Sequence, residues 1–171
     1  MIEHNLFHQE HRVLQTFYRY LALMLWVCVV LGVGFFLGRL TQLSISTWYV
    51  HLTLSPLTPP NAVFGMVWSV LYFMIACAGW LLWQAELGEA LKRIRVLYLI
   101  QLALNWSWTP LFFYWHRVGW SLLCIVLLCI VLVDLIVQAW SDHKGAAFLL
   151  MPYMVWVMFA TYLTGYIFWY N

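Results

Sequence analysis

Five long apolar runs dominate this sequence, and nothing else in it restricts the fold as strongly. They cover about Leu21–Gly38, Pro60–Trp83, Ile94–Trp115, Trp120–Trp140 and Ala146–Tyr170. A hydrocarbon layer about 30 Å thick takes about 20 apolar residues to cross as a helix, the scale of each run. None alternates polar and apolar positions with the period of two that a barrel strand shows. Backbone N–H and C=O groups in lipid must find partners within their own segment, so such runs fold as helices. The chain reads as all-α, an integral membrane bundle of five transmembrane helices over residues 21–171. A polar tail over residues 1–20 precedes it.

Composition agrees. Only 8% of the residues are charged, against about 25% in an ordinary soluble domain, and the mean hydropathy is +0.86. Too few charges remain to cover a water-facing surface, so the lipid bilayer is the first partner. A net charge of +2 is too small to point to nucleic acid. Cys28, Cys77, Cys124 and Cys129 fall inside apolar runs without paired spacing, which suits packing better than zinc or disulfides. The sequence holds no HExxH, P-loop, nucleophile elbow or paired carboxylates.

Lys and Arg distribute unequally between the two sides. Arg12, Arg19, Lys92, Arg93, Arg95 and Lys144 fall on one side, and only Arg39 and Arg117 on the other. The positive-inside rule then places the N-terminus inside and the C-terminus outside. The first apolar run is too long for a secretory signal and lacks a small-residue cleavage site. His4, His8 and His11 would share one face of a helical tail, which reads as solvated rather than metal-binding. Thr41–Thr58 is a long loop ending in a proline-rich stretch, suited to a lid or to a plain connector.

The twelve tryptophans are the other unusual feature. Trp48, Trp115, Trp120, Trp140 and Trp169 lie near segment ends, where an interfacial belt puts them. Trp68, Trp106, Trp108 and Trp156 lie deeper. On the second run Phe64, Trp68 and Tyr72 share a helical face, and on the fifth Pro152, Trp156, Ala160 and Thr164 do. On the third, Gln101, Asn105, Trp108 and Phe112 mix polar and aromatic groups. Turned inward, these faces make either an apolar cleft with polar handles or a filled aromatic core. Asn105 suits a ligand anchor or an interhelical hydrogen bond. Pro110 deprives Trp106 of a backbone donor and kinks the third helix. Asp134 is the one acid well inside a run, and a proton relay has no second carboxylate to reach. Gly34-Phe-Phe-Leu-Gly38 is a small-xxx-small motif that permits close helix approach or a homodimer.

Several of these residues, in order, resemble the translocator protein family, also called tryptophan-rich sensory proteins (TspO/MBR). The resemblance spans Gly34 to Asn171. It rests on Trp48-Tyr49, Pro59-Pro60-Asn61 through Phe64, Val67-Trp68 and Leu71-Tyr72. The run Gln101-Leu-Ala-Leu-Asn-Trp-Ser-Trp-Thr-Pro-Leu-Phe-Phe113 carries it further, as do Pro152-Tyr153, Trp156, Phe159-Ala160-Thr161 and Leu163.

The resemblance implies a five-helix bundle, often dimeric, with a pocket beneath the first loop. It implies porphyrin ligands such as protoporphyrin IX and haem, sterols in some members, and a sensing or transport role. No cofactor is required, because the tetrapyrrole is the ligand. By motif position Tyr49, Pro60, Trp68, Asn105, Trp108, Trp156, Ala160 and Leu163 would line the pocket. Trp68 and Trp156 match tryptophans implicated in light-dependent porphyrin breakdown, so a porphyrin-degrading enzyme is the alternative. Ser55 stands where the family usually has a basic residue, and Thr164 where it has asparagine. Tyr166 lacks the following Lys or Arg of the proposed cholesterol motif, which weakens a sterol reading. Family members occur in bacterial envelopes and in the mitochondrial outer membrane, and the tail favours a bacterial source.

Overall fold

The computed structural model describes residues 2–85 and 88–171, with side chains from Leu14 onward. The three tail histidines therefore lie outside the described side chains. Five helices account for nearly all of it: α1 (Ile2–Ile45), α2 (Asn61–Gln84), α3 (Glu89–Thr109), α4 (Val118–Asp142) and α5 (Lys144–Tyr170). All five are long and apolar enough to span a membrane. Helix α1 is longer than the first apolar run in both directions. It includes the tail and continues to Ile45, so the first loop begins at Ser46 rather than Thr41. No proline interrupts those extra turns.

The helices close into a ring: α1 packs on α2, α2 on α5, α5 on α4, α4 on α3, and α3 returns to α1. Short connections force neighbours such as α4 and α5 to run antiparallel. Their seam repeats every three or four residues, with Leu128, Leu132, Leu135 and Ala139 facing Ala146, Ala147, Leu150, Tyr153 and Val157, all buried. The outside is apolar as well: Phe35, Phe36, Val70, Ile130, Val155 and Met158 are all more than half exposed. That inversion of the soluble pattern needs lipid around it.

Several polar groups inside the bundle are tied to partners, whereas the buried Gln101 amide and the indole N–H groups of Trp106, Trp108 and Trp156 find none among the described residues. Tyr98 lies over Gly79, where only a residue without Cβ fits, and donates to the Ile75 carbonyl at 2.8 Å. Arg95 caps α2 by donating to the carbonyls of Leu82 at 2.9 Å and Ala85 at 3.1 Å. Its guanidinium also sits 5.3 Å from the Trp83 ring centre. Asp134 accepts from Gln138 at 2.6 Å and meets Arg93 at 3.5 Å, so its charge is met at the bundle edge.

Pro110 acts where the sequence places it. Lacking an N–H, it ends α3, and Pro110–Tyr114 continue as one π-turn. Trp115 N–H closes that turn on the Pro110 carbonyl at 2.9 Å. The wider turn rotates Phe112 and Phe113 towards α1 and the first loop.

Candidate functional site

A large hollow, about 550 Å³, lies between α1, α2, the end of α3 and α5, beneath the first loop. That is within the usual range for a small-molecule site, about 300–1,000 Å³. Helix α4 supplies none of its wall.

Each wall follows from local sequence. Phe64, Trp68 and Tyr72, four residues apart on α2, form one side as a continuous aromatic face. Trp108 and Phe112 form another, their rings nearly parallel at 16° and 5.4 Å apart, with Phe113 edge-on to both. Helix α5 supplies small and aliphatic side chains, Ala160, Leu163, Thr164 and Ile167. On α1 the wall is Gly34 and Gly38, flanked by Leu31 and Leu37. A Cβ at Gly34 would stand 2.5 Å from the Tyr72 ring, so glycine here lets α1 and α2 close together. One turn on, Gly38 has nothing within 4 Å, and neither has Gly65 across the cleft. The pair of helices touch at Gly34 and part above it.

The first loop roofs the hollow. Its one helical turn, Tyr49–His51, presents Tyr49, which is buried against Phe112 and Phe113. Burial raises the Tyr49 phenol above its ordinary pKa of 10.0. Trp48 stacks on His116 at 4.2 Å, and His116 Nε2 lies 3.2 Å from Ser44 Oγ. His116 takes a left-handed backbone, φ 53°, to reach that position. Further along, Ser55 Oγ bonds Tyr162 Oη at 3.0 Å. Thr53 N–H donates to Asn171 Oδ1 at 2.8 Å, and Asn171 Nδ2 returns a bond to the Thr53 carbonyl at 3.3 Å. The roof is thus fastened to α1, the α3–α4 turn and the end of α5.

Most hydroxyls in the wall are already engaged. Thr41, Ser69 and Thr164 each donate to the carbonyl four residues back. Tyr72 donates to Asn105 Oδ1 at 2.9 Å. The interior is consequently mainly apolar and aromatic, with the buried Trp108 indole N–H left unpartnered in its wall.

Of the eight residues the resemblance points to, Tyr49, Trp68, Trp108, Ala160 and Leu163 line this hollow. Three do not. Pro60 is exposed at the end of the loop, and its neighbour Asn61 reaches the wall instead. Asn105 is buried behind Tyr72, accepting from Tyr72 and donating to Tyr153 Oη at 2.8 Å. Its amide knits α2, α3 and α5 together and does not face the hollow. Trp156 packs edge-on to Phe64 at 5.7 Å, so Phe64 stands between it and the cavity. Trp68 and Trp156 therefore do not flank a common space. The α1 wall and the charged rim residue Arg39 were not among the expected site residues. The glycine spacing was the available signal, and it reads equally well as a motif for association between chains.

A family model described as the TspO/MBR family matches residues 25–170, which takes in part of the first span and all of the other four. The chain belongs to the TspO/MBR family. It is 34% identical to the tryptophan-rich protein TspO of Archaeoglobus fulgidus over 143 residues, 84% of this chain and 92% of that protein. It is 37% identical to the translocator protein of Homo sapiens over 119 residues, 68% of this chain and 70% of the relative. The tryptophan-rich sensory protein of Cereibacter sphaeroides is 31% identical over 115 residues. The protein is accordingly a multi-pass membrane member of the TspO/MBR family.

Proposed function

We propose that this TspO/MBR protein is a membrane receptor or carrier that holds a tetrapyrrole in the hollow beneath its first loop. The observation that carries the reading is the pair of aromatic faces, Phe64–Trp68–Tyr72 on α2 and Trp108–Phe112 from α3, across one 550 Å³ space. Apolar walls exclude hydrated ligands, and ring faces favour a planar conjugated one, because each aromatic pair adds about 0.5–1.5 kcal/mol beyond area burial. A sensing or transport role accords with the names of its relatives, translocator protein and tryptophan-rich sensory protein. Sterols would fill the same apolar space without using the ring faces.

The test is a titration of reconstituted protein with protoporphyrin IX, followed by the Soret shift. Trp68→Ala and Trp108→Ala each lower affinity several-fold and together abolish tight binding. Trp156→Ala acts only through Phe64 and has the smaller effect. Undiminished affinity in the Trp68→Ala/Trp108→Ala protein removes the hollow from the account. Light-dependent breakdown of the bound ring is the competing reading, and it requires faster bleaching by the wild type than by Trp68→Phe.

The orientation proposed is N-terminus inside. Arg19 donates to Gln84 at 2.6 Å, which puts it at the same bundle end as Lys92, Arg93, Arg95 and Lys144. Arg39 and Arg117 lie at the other end, Arg39 in the wall of the roofed hollow and Arg117 at the start of α4. Topology reporters fused at each terminus test it, and an outside N-terminus overturns it.

A further inference from the structure

The hollow has one ionisable cation in its wall and no acid. Arg39, on the exposed face of α1 just above Gly38, contributes to the lining, together with Gln42. Neither Asp nor Glu lines the space. Among the described residues Arg39 makes no ion pair, and its one side-chain bond runs from Nη1 to Gln42 Oε1 at 3.3 Å. That bond turns the Gln42 carbonyl towards the guanidinium and leaves the Gln42 amide N–H groups unengaged. The neighbouring hydroxyls, Thr41 and Ser69, donate to their own helix. Arg39 and Gln42 therefore set donors without a protein acceptor at one edge of the cavity, and that edge alone is positive; the buried Trp108 indole N–H is a further, neutral donor in the wall without a partner.

A guanidinium offers a planar fork of N–H groups that matches a carboxylate with two parallel bonds. At a membrane boundary such a pair is less screened than in bulk water. Helix α1 places this fork beside Gly38 and across from Gly65, where no side chain fills the gap between α1 and α2. A ligand whose flat apolar body lies against Trp68 and Trp108 would present its edge there.

We propose that Arg39, assisted by Gln42, is the specificity determinant for a ligand carboxylate, selecting flat apolar molecules that carry an acid at one edge. This rests on the tetrapyrrole reading and sharpens it: the free acid is recognised, and its neutral ester is not. The other use for an exposed arginine at this depth is a bilayer phosphate, which would leave ligand choice untouched.

The experiment compares protoporphyrin IX with its dimethyl ester, titrated into nanodisc-reconstituted wild type, Arg39→Gln and Arg39→Lys proteins. Loss of a charge-assisted pair lowers free-acid affinity about tenfold or more in Arg39→Gln. The ester binds wild type and Arg39→Gln alike, and Arg39→Lys recovers part of the free-acid affinity by charge alone. Equal losses for acid and ester, or no loss for either, overturn the assignment while leaving the hollow as the site. Failure of both compounds to bind the wild type saturably overturns the site and the assignment together. Replacing the nanodisc lipid with a zwitterionic one separates a phosphate role: an Arg39 effect present only with anionic lipid also overturns the proposal.

Discussion

Two glycines four residues apart on α1 are expected to respond in opposite directions to the same substitution. A methyl at Gly34 would meet the Tyr72 ring at 2.5 Å, 2.6 Å and 3.2 Å. Tyr72 has little room to withdraw, because it is 6% exposed and its hydroxyl is held by Asn105. Forcing a methyl into such a contact costs about 1–3 kcal/mol. Alanine returns up to about 1 kcal/mol of helix propensity, so Gly34→Ala should be destabilised by about 1–2 kcal/mol. For a chain of this size that lowers the midpoint by roughly 3–6 °C. At Gly38 nothing lies within 4 Å. There the propensity gain stands alone, and Gly38→Ala should melt at or slightly above the wild-type temperature. Thermal unfolding in one detergent, followed by tryptophan fluorescence, reads both variants. The Gly34→Ala loss should be less than additive with Tyr72→Ala, since the two share one contact. Were the motif a dimer seam, both substitutions would lower the midpoint and shift the oligomeric state. Parallel losses, or a Gly34→Ala protein as stable as the wild type, refute the close approach described here.

Four other outcomes follow from named contacts. Asn105→Ala strands the hydroxyls of Tyr72 and Tyr153 and should cost about 1–3 kcal/mol, more than Tyr72→Phe, as read by the same melts; equal losses count against the three-helix tie. Arg95→Met uncaps α2 and should speed amide exchange in its last turn, whereas Arg93→Met, in an exposed pair, should change stability by less than about 1 kcal/mol. Ser55→Ala combined with Asn171→Ala unfastens the roof and should raise the porphyrin dissociation rate in stopped flow with little change in melting. Tyr49 is held neutral in the closed roof, so its contribution is complete below pH 10.0 and fades as pH rises towards the higher folded value; roof closure should weaken only in that alkaline range, and Tyr49→Phe should remove the dependence.

Much of the fold was legible because lipid imposes a simple rule on the chain. Apolar length alone located α2, α4 and α5 to within a few residues, and Pro110 marked the break in α3. The ends of α1 were not legible, since helix continuing into polar sequence leaves no hydropathic boundary. Periodicity put Phe64, Trp68 and Tyr72 on one face, and that face does border the hollow. It could not rank depth between helices, so Trp156 looked equivalent to Trp68 although Phe64 screens it. Asn105 was ambiguous for a physical reason: a buried amide serves a ligand or a pair of tyrosines with the same atoms. Only the positions of Tyr72 and Tyr153 separate the two. The α1 wall was hidden because glycine signals an absence of side chain, and what occupies the space beyond it depends on another helix.

The central claim is a location, and a structure of the protein with protoporphyrin IX bound tests it most directly. The macrocycle should lie under Tyr49 between α1 and α2, with ring faces against Trp68 and Trp108 and one edge at Arg39. A macrocycle seated on the lipid-facing side of α4, or with lipid tails filling the hollow while porphyrin sits elsewhere, contradicts it.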